Sequence, residues 1–172
     1  MRETDAAGDH FALFGMNRGF AIDRDALERR YLELSRELHP DRSVGAAAAE
    51  QRRAVERASA VNTAYRVLRD PIARAEYLCK LGGVDLDSSD PTGGAPSPGQ
   101  AFLVEMIELR DRLEEVRSPA EGEALRAAIE ARADAAFDAA VVALAAGDVA
   151  RAAHQLVMRR YLQRFVEELD AA

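Results

Sequence analysis

The sequence predicts an all-α fold in two parts, a helical hairpin with short flanking helices and then, after a linker, a three-helix bundle. Apolar side chains recur at alternating spacings of three and four along most of the 172 residues, which is typical of one face of an α-helix. No segment alternates apolar and polar residues for long enough to indicate a β-strand. A stretch rich in Gly, Pro, Ser and Asp interrupts the pattern at residues 82–99. We therefore expect one domain over residues 1–83, a linker over 84–99 and a bundle over 100–172.

The first domain is expected to open with two helices. A short one surrounds Phe11 and Phe14, whose rings fall on one face. The second begins near Asp23, a residue type that caps helices well, and ends at Pro40, which cannot continue a helix. Its apolar face follows spacings of four, three and four, and comprises Leu27, Tyr31, Leu34 and Leu38.

Two more helices complete this domain. The third spans about residues 46–68 and ends at the Asp70-Pro71 pair. Its apolar stripe is the seam expected between two packed antiparallel helices, and comprises Ala54, Ala58, Val61, Tyr65 and Leu68. The fourth runs from Pro71 to Leu81, with proline at its first position and glycine just beyond its end, as helix termini favour.

Three helices joined by short connections are expected in the second domain, which makes them an antiparallel bundle. The first has a core stripe of Phe102, Met106, Leu109, Leu113 and Val116. The next opens with a capping box from Ser118 to Glu121 and closes at Gly147. Asp148 can cap the last helix, whose stripe comprises Met158, Leu162, Phe165 and Leu169.

Composition excludes several classes of protein. The net charge is −7, and residues 84–172 carry 17 acidic against 9 basic side chains. No concentrated basic face is visible, so we expect no nucleic-acid partner. Apolar runs fall short of the roughly 20 residues of a membrane span, and residues 1–10 lack the apolar core of a secretory signal. We expect a cytoplasmic protein that does not bind membranes.

The chain has one cysteine, Cys79, and three scattered histidines. These cannot form an internal disulfide or a cysteine-based zinc site, so no metal or cofactor is expected. Cys79 lies in an apolar helical segment and is interpreted as a small buried hydrophobic residue.

The loop after the second helix begins with His39, Pro40, Asp41 and Arg42. Proline disfavours the helical conformation for the residue before it, so His39 should leave the helix and project with Asp41 from a rigid tip. Three such residues can also be an ordinary helix stop. The surrounding sequence favours a functional tip, because it lies between two long amphipathic helices and ahead of residues 62–71, NTAYRVLRDP.

At this point the chain resembles a J-domain. Residues 74–82 (RAEYLCKLG), 9–15 (DHFALFG) and 101–105 (AFLVE), together with 108–110 (ELR), are similar to the HscB family of iron–sulfur co-chaperones, over nearly the whole chain. The resemblance implies that His39, Pro40 and Asp41, with the preceding helix, dock on a DnaK-type ATPase chaperone of the HscA kind and stimulate its ATP hydrolysis. It implies a non-enzymatic adaptor.

The resemblance also implies that the bundle binds the iron–sulfur scaffold protein IscU. The candidate residues lie beside the core stripe of their helix, where part of an apolar set should stay exposed and suit a protein interface. They are Leu103, Val104, Ile107, Glu108 and Asp111, with Tyr161 at an aromatic position of the family site. In the alternative, the bundle core takes up Leu103 and Ile107.

Two features of the sequence bear on the predicted chaperone-binding surface. The family usually has lysine where this chain has Arg42, which keeps the charge but changes the donor geometry. Acidic residues offset the arginines of the second helix, so we take Arg29, Arg36 and Arg42 as the steering candidates. The alternative is that these charges pair along their own helix.

Two other functions are alternatives. One is a J-domain protein with a different client. The other is a hydrolase in which His39 and Asp41 act as an acid–base pair with Cys79 as nucleophile, but a surface tip offers no pocket that excludes water. A monomer is expected.

Overall fold

The computed structural model describes residues 9–38 and 47–171, and in these ranges it contains seven helices and no β-strand. The helices are α1 (His10–Leu13), α2 (Arg24–Glu37), α3 (Ala48–Arg69), α4 (Pro71–Leu81), α5 (Gln100–Glu115), α6 (Pro119–Ala145) and α7 (Val149–Ala171). The chain divides into two compact units that meet in sequence at Arg74 and Ala75. The predicted all-α class is confirmed.

Aspartate side chains cap the first two helices, and the cap at Asp23 is the predicted one. The Asp9 carboxylate accepts a hydrogen bond from the Phe11 amide at 2.9 Å, and the Asp23 carboxylate accepts one from the Ala26 amide at 2.9 Å. Each bond satisfies an amide that has no partner inside its helix. The helix α2 ends at Glu37, as expected when proline stands at position 40.

Helices α1, α2 and α3 share the core of the first unit. The buried apolar residues are Phe11, Phe14, Leu27, Leu34, Val61, Ala64 and Leu68. The predicted α3 stripe extends further than the core does, because Ala54 and Ala58 are only half-buried. These two alanines line an open groove of about 550 Å³ that also includes Leu38.

Between α4 and α5 the chain is folded. The Val84 amide donates to the Cys79 carbonyl at 2.9 Å, and the Asp85 amide donates to the Gly93 carbonyl at 2.7 Å. Leu86 is buried. The segment predicted as a linker from its composition is thus a series of hydrogen-bonded turns within the second unit, while the functional domain boundaries stay a prediction.

The bundle helices begin and end close to the predicted residues. Ser118 caps α6 by accepting from the Glu121 amide, and the Glu121 side chain accepts from the Arg117 amide at 2.7 Å. In a standard capping box, the glutamate side chain would accept a hydrogen bond from the amide of Ser118 itself. Here it accepts from the amide of the preceding residue, Arg117. Gly147, with a φ of 76°, ends the turn after α6, and Asp148 accepts from the Arg151 amide.

The second core is where the sequence placed it. Its buried residues are Phe102, Leu125, Ile129, Ala133, Met158, Leu162, Phe165 and Val166, and its partly buried ones are Met106, Leu109, Leu113, Val116 and Leu169. Small buried side chains are frequent in the last part of α6 and the first part of α7, and they include Ala136, Ala140, Ala143, Ala152 and Ala153. Small side chains let two helices approach closely and pack over a long contact.

Candidate functional site

The expected chaperone-binding tip lies outside the described residues. His39, Pro40, Asp41 and Arg42 fall between Leu38 and Ala47, the two residues that bound this stretch. What the structure describes is the helix that leads to the tip, and it ends where the tip was expected to begin.

The outer face of α2 presents Arg29, Leu32 and Arg36, and we call it the α2 face. All three residues are exposed, and Leu32 is 45% exposed. They lie three and four residues apart, so successive turns of the helix bring them onto one side. The two arginines were predicted from the sequence, but Leu32 was not; its signal is an apolar residue on the side opposite the Leu27 and Leu34 stripe.

Two of the four acidic residues of α2, Glu28 and Glu33, have partners other than Arg29 and Arg36. Glu33 pairs with Arg30 at 3.0 Å, and Glu28 accepts a hydrogen bond from the Tyr65 hydroxyl on α3 at 2.7 Å. Among the described residues, neither Arg29 nor Arg36 has an ion-pair partner. The alternative in which the helix charges pair among themselves therefore holds for Arg30 but not for these two arginines.

The predicted scaffold-binding residues lie at the surface of the bundle. They form what we call the bundle patch: Leu103, Val104, Ile107, Glu108, Asp111 and Tyr161. Ile107 is 60% exposed, Val104 48%, Leu103 43% and Tyr161 41%. The expected exposure is confirmed, and the core does not take up Leu103 or Ile107. Their binding role stays a prediction.

Two contacts join α5 to α7 at residues of this patch or next to them in sequence. The Tyr161 ring meets the buried Phe102 ring edge-on, with centroids 6.1 Å apart. The Arg110 guanidinium of α5 pairs with Glu168 of α7 at 2.9 Å. Aromatic edge contacts and interhelical ion pairs orient the side chains that they join. The patch thus sits on a supported surface of α5 and α7.

Cys79 is fully buried, with none of its surface exposed. Burial, with a smaller effect from nearby Glu76, raises the pKa of its thiol to about 11. Since the thiolate is the nucleophile, a buried thiol with a raised pKa is unreactive at neutral pH. The side chain serves the core, as the sequence analysis interpreted it.

Within residues 9–38 and 47–171, no group of three or more His, Cys, Asp or Glu side chains is placed to hold a metal ion. No helix there combines the length and apolarity that crossing a membrane requires.

Comparison with protein-family models gives two matches that together span most of the chain. Residues 9–77 match the DnaJ domain, and residues 99–170 match the HSCB C-terminal oligomerisation domain. The first match contains α1, α2, α3 and most of α4, and the second contains the whole bundle apart from the final residue of α7.

Curated relatives align over nearly the full length. The chain is 38% identical over 171 residues to the co-chaperone protein HscB homolog of Bordetella avium, covering 96% of this chain and 98% of the relative. It is 36% identical to the homolog of Azoarcus sp., covering 98% and 95%.

Solved structures agree with the fold. Chaperone HscB from Vibrio cholerae superposes with a TM-score of 0.74 at 28% identity, covering 95% of this chain and 96% of that one. Human co-chaperone protein HscB gives 0.76 at 27% identity, covering 99% and 83%. The chain therefore belongs to the HscB family and is a co-chaperone with a J-domain.

Proposed function

We propose that this protein stimulates the ATPase of a DnaK-type, HscA-like chaperone and delivers to it an IscU-like scaffold protein during iron–sulfur cluster assembly and transfer. One observation carries the proposal: a single chain joins a J-domain to a bundle whose surface exposes the apolar bundle patch. One surface can hold the chaperone while the other holds its client.

The chaperone-binding surface is the tip at His39, Pro40 and Asp41, with Arg42 and the α2 face beside it. Arg29 and Arg36 are exposed and have no ion-pair partner among the described residues. Unpaired surface cations attract an acidic partner surface and raise its association rate. Leu32 adds an apolar contact between the two arginines.

The scaffold-binding surface is the bundle patch. Its centre is aliphatic, and Glu108 and Asp111 are exposed beside it. Protein interfaces commonly combine an apolar centre with a polar rim, and a few residues near the centre carry most of the binding energy. We therefore assign the largest contribution to Leu103 and Ile107, with Tyr161 as the aromatic anchor.

Coupling of the two activities follows from effective concentration. A scaffold held by the bundle is tethered to a chaperone held by the J-domain, and such tethering gives local concentrations on the order of millimolar over short connections. ATP hydrolysis then occurs while the client is within reach of the chaperone. No catalytic group of this chain is needed.

The test is the ATPase rate of the chaperone with the full chain, with and without scaffold. We expect stimulation by this protein alone and a larger, synergistic stimulation when scaffold is added. His39→Gln should abolish both effects, whereas His154→Gln, the same change on α7, should leave them intact. Equal rates for the wild type and His39→Gln would reject the J-domain assignment.

Titration of the full-length protein with purified scaffold distinguishes this proposal from the alternative in which the J-domain protein has another client. Chaperone stimulation without scaffold binding would favour the other client. The hydrolase alternative requires turnover in the absence of chaperone that is lost in Cys79→Ser, and the burial of Cys79 argues against it.

A monomer remains our expectation for the free protein. Light scattering over a range of concentrations tests it, and a dimer whose formation blocks scaffold binding would place the bundle patch in a self-association interface instead.

A further inference from the structure

Two tyrosines join α2 to α3 by a stacked pair with crossed hydrogen bonds. The rings of Tyr31 and Tyr65 lie 4.0 Å apart between centroids and are inclined by 13°. The Tyr31 hydroxyl on α2 donates to Asn62 Oδ1 on α3 at 3.0 Å, and the Tyr65 hydroxyl on α3 donates to Glu28 Oε2 on α2 at 2.7 Å. Each ring therefore anchors a side chain of the opposite helix.

The acceptors of the two hydrogen bonds differ in charge. The partner of Tyr31 is a neutral amide, whereas the partner of Tyr65 is a carboxylate, and hydrogen bonds to ionised acceptors are the stronger kind. The bond to Glu28 is the main reason that the pKa of Tyr65 is raised. The Tyr65 hydroxyl thus remains a donor over the whole physiological pH range.

The Glu28 carboxylate matters because of where it sits along α2. It precedes Arg29, and successive residues of an α-helix point about 100° apart. Bound to Tyr65, the carboxylate is drawn to the α3 side of the hairpin, away from the α2 face. Released, it can move toward Arg24, one turn earlier, or toward Leu32, one turn later on the α2 face.

The other acids of α2 make this arrangement significant. Glu33 already pairs with Arg30, Asp25 lies in the first turn, where the helix dipole favours a negative charge, and the exposed Glu37 is the last residue of the helix. Glu28 is thus the acid of α2 that a residue of another helix holds in place. Its position contributes to how positive the α2 face is, together with Asp25, which lies one turn before Arg29.

We propose that Tyr65 is a positioning residue for chaperone docking: by holding the Glu28 carboxylate against α3, it keeps that negative charge away from the face formed by Arg29, Leu32 and Arg36. This inference rests on the proposed docking of α2 on a DnaK-type chaperone. Tyr65 itself needs no contact with the chaperone.

The stacked pair lies near the surface of the hairpin, so substitutions of these tyrosines leave the buried core residues unchanged. Both rings are only partly buried, while Leu27, Leu34 and Leu68 are buried beneath. Tyr65→Phe removes the hydroxyl and preserves the stack. Tyr31→Phe is the matched control, because it removes the other hydroxyl and its bond to the neutral Asn62.

The experiment measures chaperone ATPase against the concentration of the full-length protein, at low salt and at about 0.15 M salt, where the Debye length is about 8 Å. Tyr65→Phe should raise the concentration for half-maximal stimulation about two- to fivefold at low salt, with the maximal rate unchanged, and salt should shrink the difference. Tyr31→Phe should match the wild type. Circular dichroism checks that each variant is folded.

The decisive variant is the double change Tyr65→Phe with Glu28→Gln. Removing the released charge should restore half-maximal stimulation to the wild-type concentration or below it. A double variant as weak as Tyr65→Phe would overturn the inference, since it would show that the hydroxyl acts only through structure, and so would a Tyr65→Phe that behaves as the wild type.

These outcomes are distinct from failure of the proposed function. If the wild type does not stimulate the chaperone, the docking proposal and this inference fall together. If the wild type stimulates and His39→Gln does not, the docking proposal stands, and the Tyr65 variants alone decide the inference.

Discussion

Arg160 of α7 donates from Nε to the Glu76 carboxylate of α4 at 2.7 Å, across 84 positions of sequence. Its Nη1 atom donates to the Leu86 carbonyl and to the Asp87 carboxylate, both at 2.9 Å. One guanidinium thereby joins α4, the turns that follow it and α7 within the second unit. The two carboxylates raise the pKa of Arg160, so it stays charged.

We predict that Arg160→Met destabilises the second unit by about 1–3 kcal/mol, because it leaves the Leu86 carbonyl and the Glu76 carboxylate without their donor. Urea unfolding measures the loss, and hydrogen exchange at residues 84–95 should rise with it. Arg151→Met, on an exposed site of the same helix, should change stability by less than about 0.5 kcal/mol. Equal effects of the two substitutions would show that the contacts of Arg160 contribute nothing.

The proposed role of the bundle patch can be tested by truncating its aliphatic side chains. Ile107→Ala and Leu103→Ala should each weaken scaffold binding by about 1–2 kcal/mol, because each removes an apolar side chain from the proposed centre. Binding is measured by calorimetry with purified scaffold. Stability should hardly change, since both side chains are exposed.

Val142→Ala is the matched control for that comparison. Val142 is 69% exposed on α6 in the same unit, so its truncation also removes surface aliphatic area from the bundle. Scaffold affinity should stay at the wild-type value. A loss in Val142→Ala equal to the loss in Ile107→Ala would mean that the site is not confined to the patch.

Electrostatic steering by the α2 face is testable through salt. Arg29→Ala with Arg36→Ala should weaken chaperone stimulation about tenfold at low salt and less at high salt, because the two charges act over the solvent. Arg53→Ala with Arg57→Ala, which removes the same two charges from exposed sites on α3, should change it less than about twofold. A salt-independent loss would point to a direct contact rather than steering.

The Cys79 thiol predicts a particular pH dependence. Its pKa of about 11 in the folded protein lies above the ordinary thiol value of 9.0, so its contribution to stability is complete below pH 9 and is lost as the pH rises toward 11. The two-unit difference corresponds to about 3 kcal/mol. Thermal unfolding from pH 8 to 11 should show a steeper decline in the wild type than in Cys79→Ala.

Alkylation provides a second readout for Cys79. The native thiol should react with iodoacetamide far more slowly than the denatured chain at pH 8, since burial withholds both the thiolate and access to it. Rapid reaction of the folded protein would contradict the buried assignment.

Helix boundaries were predictable because they depend on neighbours in sequence. Asp23, Ser118 and Asp148 cap helices through bonds that span three residues, and Pro71 begins α4. The two core stripes were predictable for a similar reason, since the period of the helix decides which side chains share a face. The J-domain and HscB resemblance rested on motifs of the same local kind.

The exposure of Leu103 and Ile107 was left open by the sequence, because an apolar face can be wider than the core that it meets. The bundle decides it: Phe102 and its stripe fill the contact with Leu162 and Phe165, and the neighbouring residues stay outside. The sequence also failed to predict that residues 84–95 fold into hydrogen-bonded turns, for a related reason. Their composition indicates turns, but the bonds to Arg160 come from the far end of the chain.

The helices, their apolar faces and the family are readable from the amino-acid order alone, since each follows from residues within a few turns of one another. The charges on α2 that remain unpaired depend on the folded hairpin, because the partner that holds Glu28 is Tyr65, 37 positions away on another helix. Electrostatic character at a surface depends on distances between atoms, and folding alone sets those distances for residues so far apart in the chain.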